Sequence, residues 1–284
     1  MSRPLRLIAL LASIALVAGV SPAASAQTYA VVLSVNDARP MGQAVLSLVR
    51  SYPVTITYED PRYEYAGDLR DISGEVRKTR EPQVRTIVPK GGALHATYDV
   101  SQDTGEPVDV AAALQNLVDA NNRARYGGHF AVLRSGETLH VVPTEVRDSG
   151  GRWIPQGSVL DTPITFSSGG ERDGFELIEA ILREVSVASG QEIAGGRPNV
   201  AMVCFSSLAC AENKRTVDAT NESARDVLIR LVSSLNARYT WVLYYGSQER
   251  RYVFNLVLGV ERAEPTPKPR DPTPGVPFNL ASAR

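Results

Sequence analysis

NESARDVLIRLVSSLNARYTWVLYY, residues 221–245, holds the pattern from which the fold can be read. Leu228, Leu231 and Val232 recur at the three- and four-residue spacing of one helix face, predicting a helix over 224–235. Ser223, with Asp226 three residues on, supplies a helix start. YTWVLYY, 239–245, is rich in aromatic and β-branched residues and predicts a strand. After a polar loop, RYVFNLVLGV (251–260) predicts a second strand returning beside it.

The same rhythm occurs three more times, in MGQAVLSLVRSY (41–52), VAAALQNLVDAN (110–121) and FELIEAILREVS (175–186). Superposed, Val45, Leu114, Ile178 and Leu228 share a column; Leu48, Leu117, Ile181 and Leu231 the next; Val49, Val118, Leu182 and Val232 the third. Ahead of the four helices lie the strand candidates YAVVLSV, LHATYDV, TPITFSS and RTVDAT, with Asp37, Asp109 and Asp173 as further cap candidates. VTITY and HFAVLR follow the first two helices, and FAVLRSGETLHVV reads as a hairpin turning at Ser135-Gly136. The fold class expected is therefore α+β, with about four small β-α-β or β-α-β-β modules, each one helix on a short sheet. The column spacings of 69, 64 and 50 residues are too unequal for a solenoid. Units are expected over 27–79, 80–150, 151–206 and 207–262, packed on one another because a lone unit of this size is marginally stable. Turn-rich joints lie around 80–93, 147–158 and 190–199, and AEPTPKPRDPTPGVPF opens a proline-rich tail, 263–284, expected to be disordered.

The N-terminus predicts export. Arg3 and Arg6 precede an apolar run, Leu7 to Val20, too short to span a bilayer comfortably, and Ala24-Ser25-Ala26 offers a cleavage signal. A signal peptide over 1–26 then leaves a mature chain beginning at Gln27, placed in the periplasm or outside the cell, with no stable membrane span. Without Arg3 and Arg6 the chain carries 28 basic and 31 acidic residues, a balance that excludes a nucleic-acid binder. The basic run VRKTREPQVR (76–85) is broken by Glu81 and Pro82 and reads as a solvated linker.

In an oxidising compartment Cys204 and Cys210, flanking FSSLA, are expected to form a disulfide. His95, His129 and His140 are scattered without ligand spacing, so no metal and no cofactor is expected. His140, in TLHVVP, reads as an outward strand residue. G-x-S-x-G, H-E-x-x-H, a Walker loop and G-x-G-x-x-G after a strand are all absent. SSGGERDG (167–174) reads as a flexible strand-to-helix turn.

VTITYEDPRYEYAGDLRD, 54–71, is the segment richest in side-chain chemistry. Val54, Ile56 and Tyr58 alternate with Thr55, Thr57 and Glu59 as in a half-buried strand, and Asp60-Pro61 ends it. RYEYAGDLRD is expected to return as a charged edge that blocks unwanted pairing. The functional reading makes Tyr58, Glu59, Asp60, Tyr63 and Tyr65 a partner-binding surface for an envelope protein or glycan. The alternative is a hydrolase of envelope polysaccharide or peptide acting through Glu59, Asp60 and Glu64, a use that needs two carboxyls across a cleft.

NESARDVLIRLVSSLNARYTWVLYY and NDARPMGQAVLSLVRSYPVTITYED resemble the short N-terminal domain found ahead of secretins and TonB-dependent receptors. The resemblance covers the first and last modules best and carries no catalytic residue. It implies a periplasmic domain that makes protein–protein contacts. The chain is also similar to other exported bacterial proteins with a Y-E-D-P stretch, which implies no activity. The function expected is thus that of an exported, non-enzymatic protein-binding or envelope-assembly protein.

Overall fold

The computed structural model describes residues 27–76, 85–195, 214–235 and 237–260. The expected leader, the Cys204–Cys210 disulfide, most of the basic run and the proline-rich tail lie outside the described residues. Four long helices occupy the segments expected of them: α1 (Pro40–Ser51), α3 (Val110–Ala124), α4 (Gly174–Ser189) and α5 (Ala224–Ser233); a single turn, α2 (Ser73–Val76), follows α1. Three begin on the side chains foreseen. Asp109 accepts from the Ala112 N–H, Asp173 from Phe175 and Glu176, and Ser223 from Asp226. Asp37 departs from expectation. Its carboxylate takes the Arg39 N–H at 2.7 Å, because Pro40 opens the helix and moves the cap position to Arg39.

The strands are β1 (Thr28–Asp37), β2 (Thr55–Glu59), β3 (Leu69–Asp71), β4 (Ile87–Pro89), β5 (Gly92–Ser101), β6 (Gly128–Ser135), β7 (Thr138–Arg147) and β8 (Trp153–Pro155). The second part of the chain adds β9 (Pro163–Ser167), β10 (Arg172–Asp173), β11 (Ile193–Gly195), β12 (Lys214–Arg215), β13 (Asp218–Ser223), β14 (Tyr239–Gly246) and β15 (Arg251–Leu258). A central seven-stranded sheet runs β11-β15-β14-β2-β7-β6, with β8 extending β7 beyond the end of β2. β1 pairs with β5, and β9 with β13, as two separate antiparallel ribbons. The fold is α+β, but strands expected to form a short sheet in each of four modules lie together in one sheet.

The pairing repeats. β2 lies parallel to β7, which is antiparallel to its hairpin partner β6. β11 lies parallel to β15, which is antiparallel to its hairpin partner β14. Residues 28–147 and 163–258 are therefore two halves of the same design, joined where β14 runs parallel to β2. Going from one half to the other reverses the strand directions and moves the helices to the opposite face, as a half-turn about an axis across the strands requires.

Each face carries its own core. Ile56, Tyr58, Leu139, Val141 and Val242 point to α1, α3 and the β1–β5 ribbon. Trp241, Leu243, Tyr245, Tyr252 and Phe254 point to α4, α5 and the β9–β13 ribbon. The column positions Leu48, Leu117, Ile181 and Leu231 are at most 1% exposed, so truncating any of them to Ala should cost about 2–5 kcal/mol.

Three expectations about the 54–71 stretch and its neighbour change. β2 is interior, hydrogen-bonded on both sides and covered on both faces, so it is fully buried beyond Thr55. RYEYAGDLRD does not return alongside β2; it makes a 3-10 turn over Ala66–Asp68, and β3 pairs with β4. His140 does not face water. It lies beside Thr57 on the face that the second half's helices cover, 1% exposed.

Candidate functional site

The YED tripeptide at the end of β2 lies on the seam between the halves. Asp60 is fully buried and receives four donors. Arg39 Nε donates to Oδ2 at 2.6 Å, the Tyr245 N–H to the same oxygen at 3.0 Å, Tyr58 Oη to Oδ1 at 2.7 Å and Tyr63 Oη to Oδ1 at 3.5 Å. Arg39 also donates to the Tyr245 carbonyl at 2.9 Å and lies over the Tyr244 ring, 5.0 Å from its centre. Burial, then the neighbouring Asp60 charge, drives both the Tyr58 and Tyr63 hydroxyls well above the usual phenol range, so they stay donors.

Glu59 points to the other face. Its carboxylate accepts from the Ser158 hydroxyl and, at 2.6 Å, from the Val159 N–H, which opens the turn before β9. Arg225, in the first turn of α5, approaches within 3.6 Å and binds Asp161 through Nε at 2.9 Å. Burial pushes Glu59 up to about 7, against the lowering pull of Arg225, Ser158 and Val159. His140 accompanies this cluster: one ring nitrogen meets Thr57 Oγ1 at 2.7 Å, while Nε2 meets no partner among the described residues. Burial, and then Arg225, lowers it to about 4, so the ring is neutral at pH 7.

Of the sequence-predicted contact residues, Tyr58, Glu59, Asp60 and Tyr63 are thus internal. They are brought together, but as a tie between elements and not as a surface. Tyr65 is half-buried, with the Arg147 guanidinium 5.5 Å from its ring centre, and Glu64 alone of the acidic candidates is exposed. A groove of about 570 Å³ lies elsewhere, between Thr55, Asp109, Arg134, Glu137, Leu139 and Arg238. Among the described residues, no group of three or more His, Cys, Asp or Glu is arranged to hold a metal ion. No helix among them is long and apolar enough to cross a membrane.

The exposed feature that sequence reasoning missed is the outer edge of β1. Gln102 N donates to Gln27 O, so by the alternation of an antiparallel ladder Thr28, Ala30, Val32, Ser34 and Asn36 direct their N–H and C=O groups away from β5. Among the described residues those groups meet no partner. The neighbouring edges are covered in part. On β5, Glu106 and Val108 bond back to Ser101 and Asp99, Asn116 reaches Thr97 O and Tyr126 reaches Ala93 O. On β6, the Asn122 side chain exchanges both hydrogen bonds with the Phe130 backbone at 2.9 Å. The signal was available: TYAVVLSVND holds ten residues without proline or lysine, and its one charge is at the end.

Comparison with protein-family models, with curated proteins and with solved structures found no match to this chain.

Proposed function

We propose that this chain is an exported, non-enzymatic binding or assembly protein of the cell envelope, working through surface contact. The observation that carries the reading is the closed state of its acid pair. Hydrolysis by carboxylates needs an acid and a base on either side of a solvent-reached bond. Glu59 and Asp60 instead point to opposite faces of one interior strand and hold the halves together. Four surface cavities among the described residues are lined by none of Tyr58, Glu59, Asp60 and Tyr63. A two-half body with its buried acid pair turned inward supports a role in contact, and the secretin and TonB-receptor short-domain resemblance of the first and last modules points the same way.

The test is chemical crosslinking in intact envelopes with the tagged mature chain at native abundance. Recovery of a defined envelope protein or glycan is expected; its absence would overturn the reading. Cleavage of an envelope polysaccharide or peptide, lost in a folded Glu59→Gln or Asp60→Asn protein, would put the hydrolase reading in its place.

A further inference from the structure

We propose that two copies of this chain pair through β1, antiparallel and edge to edge, about a two-fold axis at Val32. The inference deepens the contact reading by naming one partner, a second copy.

Five residues of β1, Thr28, Ala30, Val32, Ser34 and Asn36, hold outward backbone groups that are unmatched among the described residues. A strand edge of that length is a template for another strand, and exposed edges in stable proteins are ordinarily blunted. Here β5 and β6 are blunted in part, whereas β1, among the described residues, is not blunted at all. The side chains then decide what fits. With Val32 opposite its own mate, Ala30 meets Ser34 and Thr28 meets Asn36, so every hydrogen-bonded pair is uncharged. The one charge of the strand, Asp37, falls opposite Gln27. On the inner face Tyr29 meets Val35 and Val31 meets Leu33. Val31, Leu33 and Val35 already pack on the first-half core, which the pairing would continue across the axis.

Val32 is 64% exposed, one of the larger apolar exposures on the molecule, and self-pairing lays it against its mate. Its side chain shares the outer face of the ribbon with His95, Thr97 and Asp99. The product is a four-stranded antiparallel sheet, β5-β1-β1-β5, with an isologous interface. One strand pair falls short of the roughly 1,600 Å² of a standard interface, so the association should be reversible and in the micromolar range.

Sedimentation equilibrium of the mature chain over a micromolar concentration series tests this. Monomer–dimer exchange is expected in the wild type. Val32→Lys and Val32→Glu place like charges directly opposite at the axis and should each weaken the dimer about tenfold or more. Because the side chain points to solvent, both variants should keep the wild-type circular dichroism and melting temperature. Mixing the two variants should restore pairing as a Lys–Glu heterodimer, which a folding defect would not do. A wild type that stays monomeric, a dimer indifferent to Val32→Lys, or a mixture that fails to pair would each overturn the proposal. So would a β1 edge that takes up only a strand of another protein. None of those results would bear on the crosslinking test of the envelope role, so the two readings fail separately.

Discussion

Arg39 and Asp60 meet at 2.6 Å, a carboxylate with no solvent exposure bound to a guanidinium at the entrance to α1. The same two side chains hold the Tyr245 amide and carbonyl of β14, 206 residues from Arg39. One ion pair therefore fastens the first helix, the central strand and the opposite half of the protein.

Removing one member of that pair should be costly, because it leaves the other charge or its partners buried and unmatched. Arg39→Ala is expected to lower the unfolding free energy by about 3 kcal/mol, and Asp60→Ala by at least as much. The pair spans the seam, so both halves should loosen together. In urea titrations followed by circular dichroism and by the fluorescence of Trp153 and Trp241, the two probes should still trace one transition. Separate midpoints would show that the halves unfold independently.

Glu59 links stability to pH. Its folded value, about 7, stands above its ordinary 4.5, so the native state holds the extra proton between those limits. Its contribution is full below pH 4.5 and is lost as pH rises through 7, up to about 3 kcal/mol. Glu59→Gln, neutral throughout, should lose that slope. Chemical unfolding from pH 4 to 8 would reveal it.

His140 acts with the opposite sign. Lowered from 6.5 to about 4, it contributes stability that is full above pH 6.5 and is lost as pH falls through 4. Between pH 4.5 and 6.5 the Glu59 and His140 slopes oppose one another, so the wild type should be nearly flat there. Glu59→Gln should then expose a falling acid limb, and His140→Gln a limb that falls toward alkaline pH. Two variants with the same pH profile would refute the assignment.

Arg125 closes α3 in the left-handed region, with φ 56° and ψ 46° and its side chain in solvent. A glycine there carries no Cβ penalty, and the carbonyl that Arg147 approaches is retained. Arg125→Gly should raise stability by about 0.5–1 kcal/mol, read as a higher melting temperature.

Much of the architecture is legible because it is local. The i, i+3, i+4 columns locate four helices to within a few residues, and Asp109, Asp173 and Ser223 mark where three of them begin. FAVLRSGETLHVV folds as the hairpin its turn requires, with Ser135 opposite Thr138. Asp37 misled because proline at the next turn shifts the cap, an effect of one residue. Glu59, Asp60 and His140 could not be placed from the chain alone. Alternation along β2 is the same whether one face is covered or both, and the groups that satisfy these residues come from β14, the turn at Ser158 and α5.

The α+β class, the four helix–strand rhythms and the starting points of most elements follow from the order of residues, since they depend on contacts within a turn or two of chain. Tertiary structure alone decided that β14 docks beside β2, that the halves face opposite ways, and that an acidic tripeptide becomes an internal fastening while β1, among the described residues, keeps an open edge. Those outcomes rest on which distant backbone and charged groups come within hydrogen-bonding range, and a spacing pattern carries no record of that.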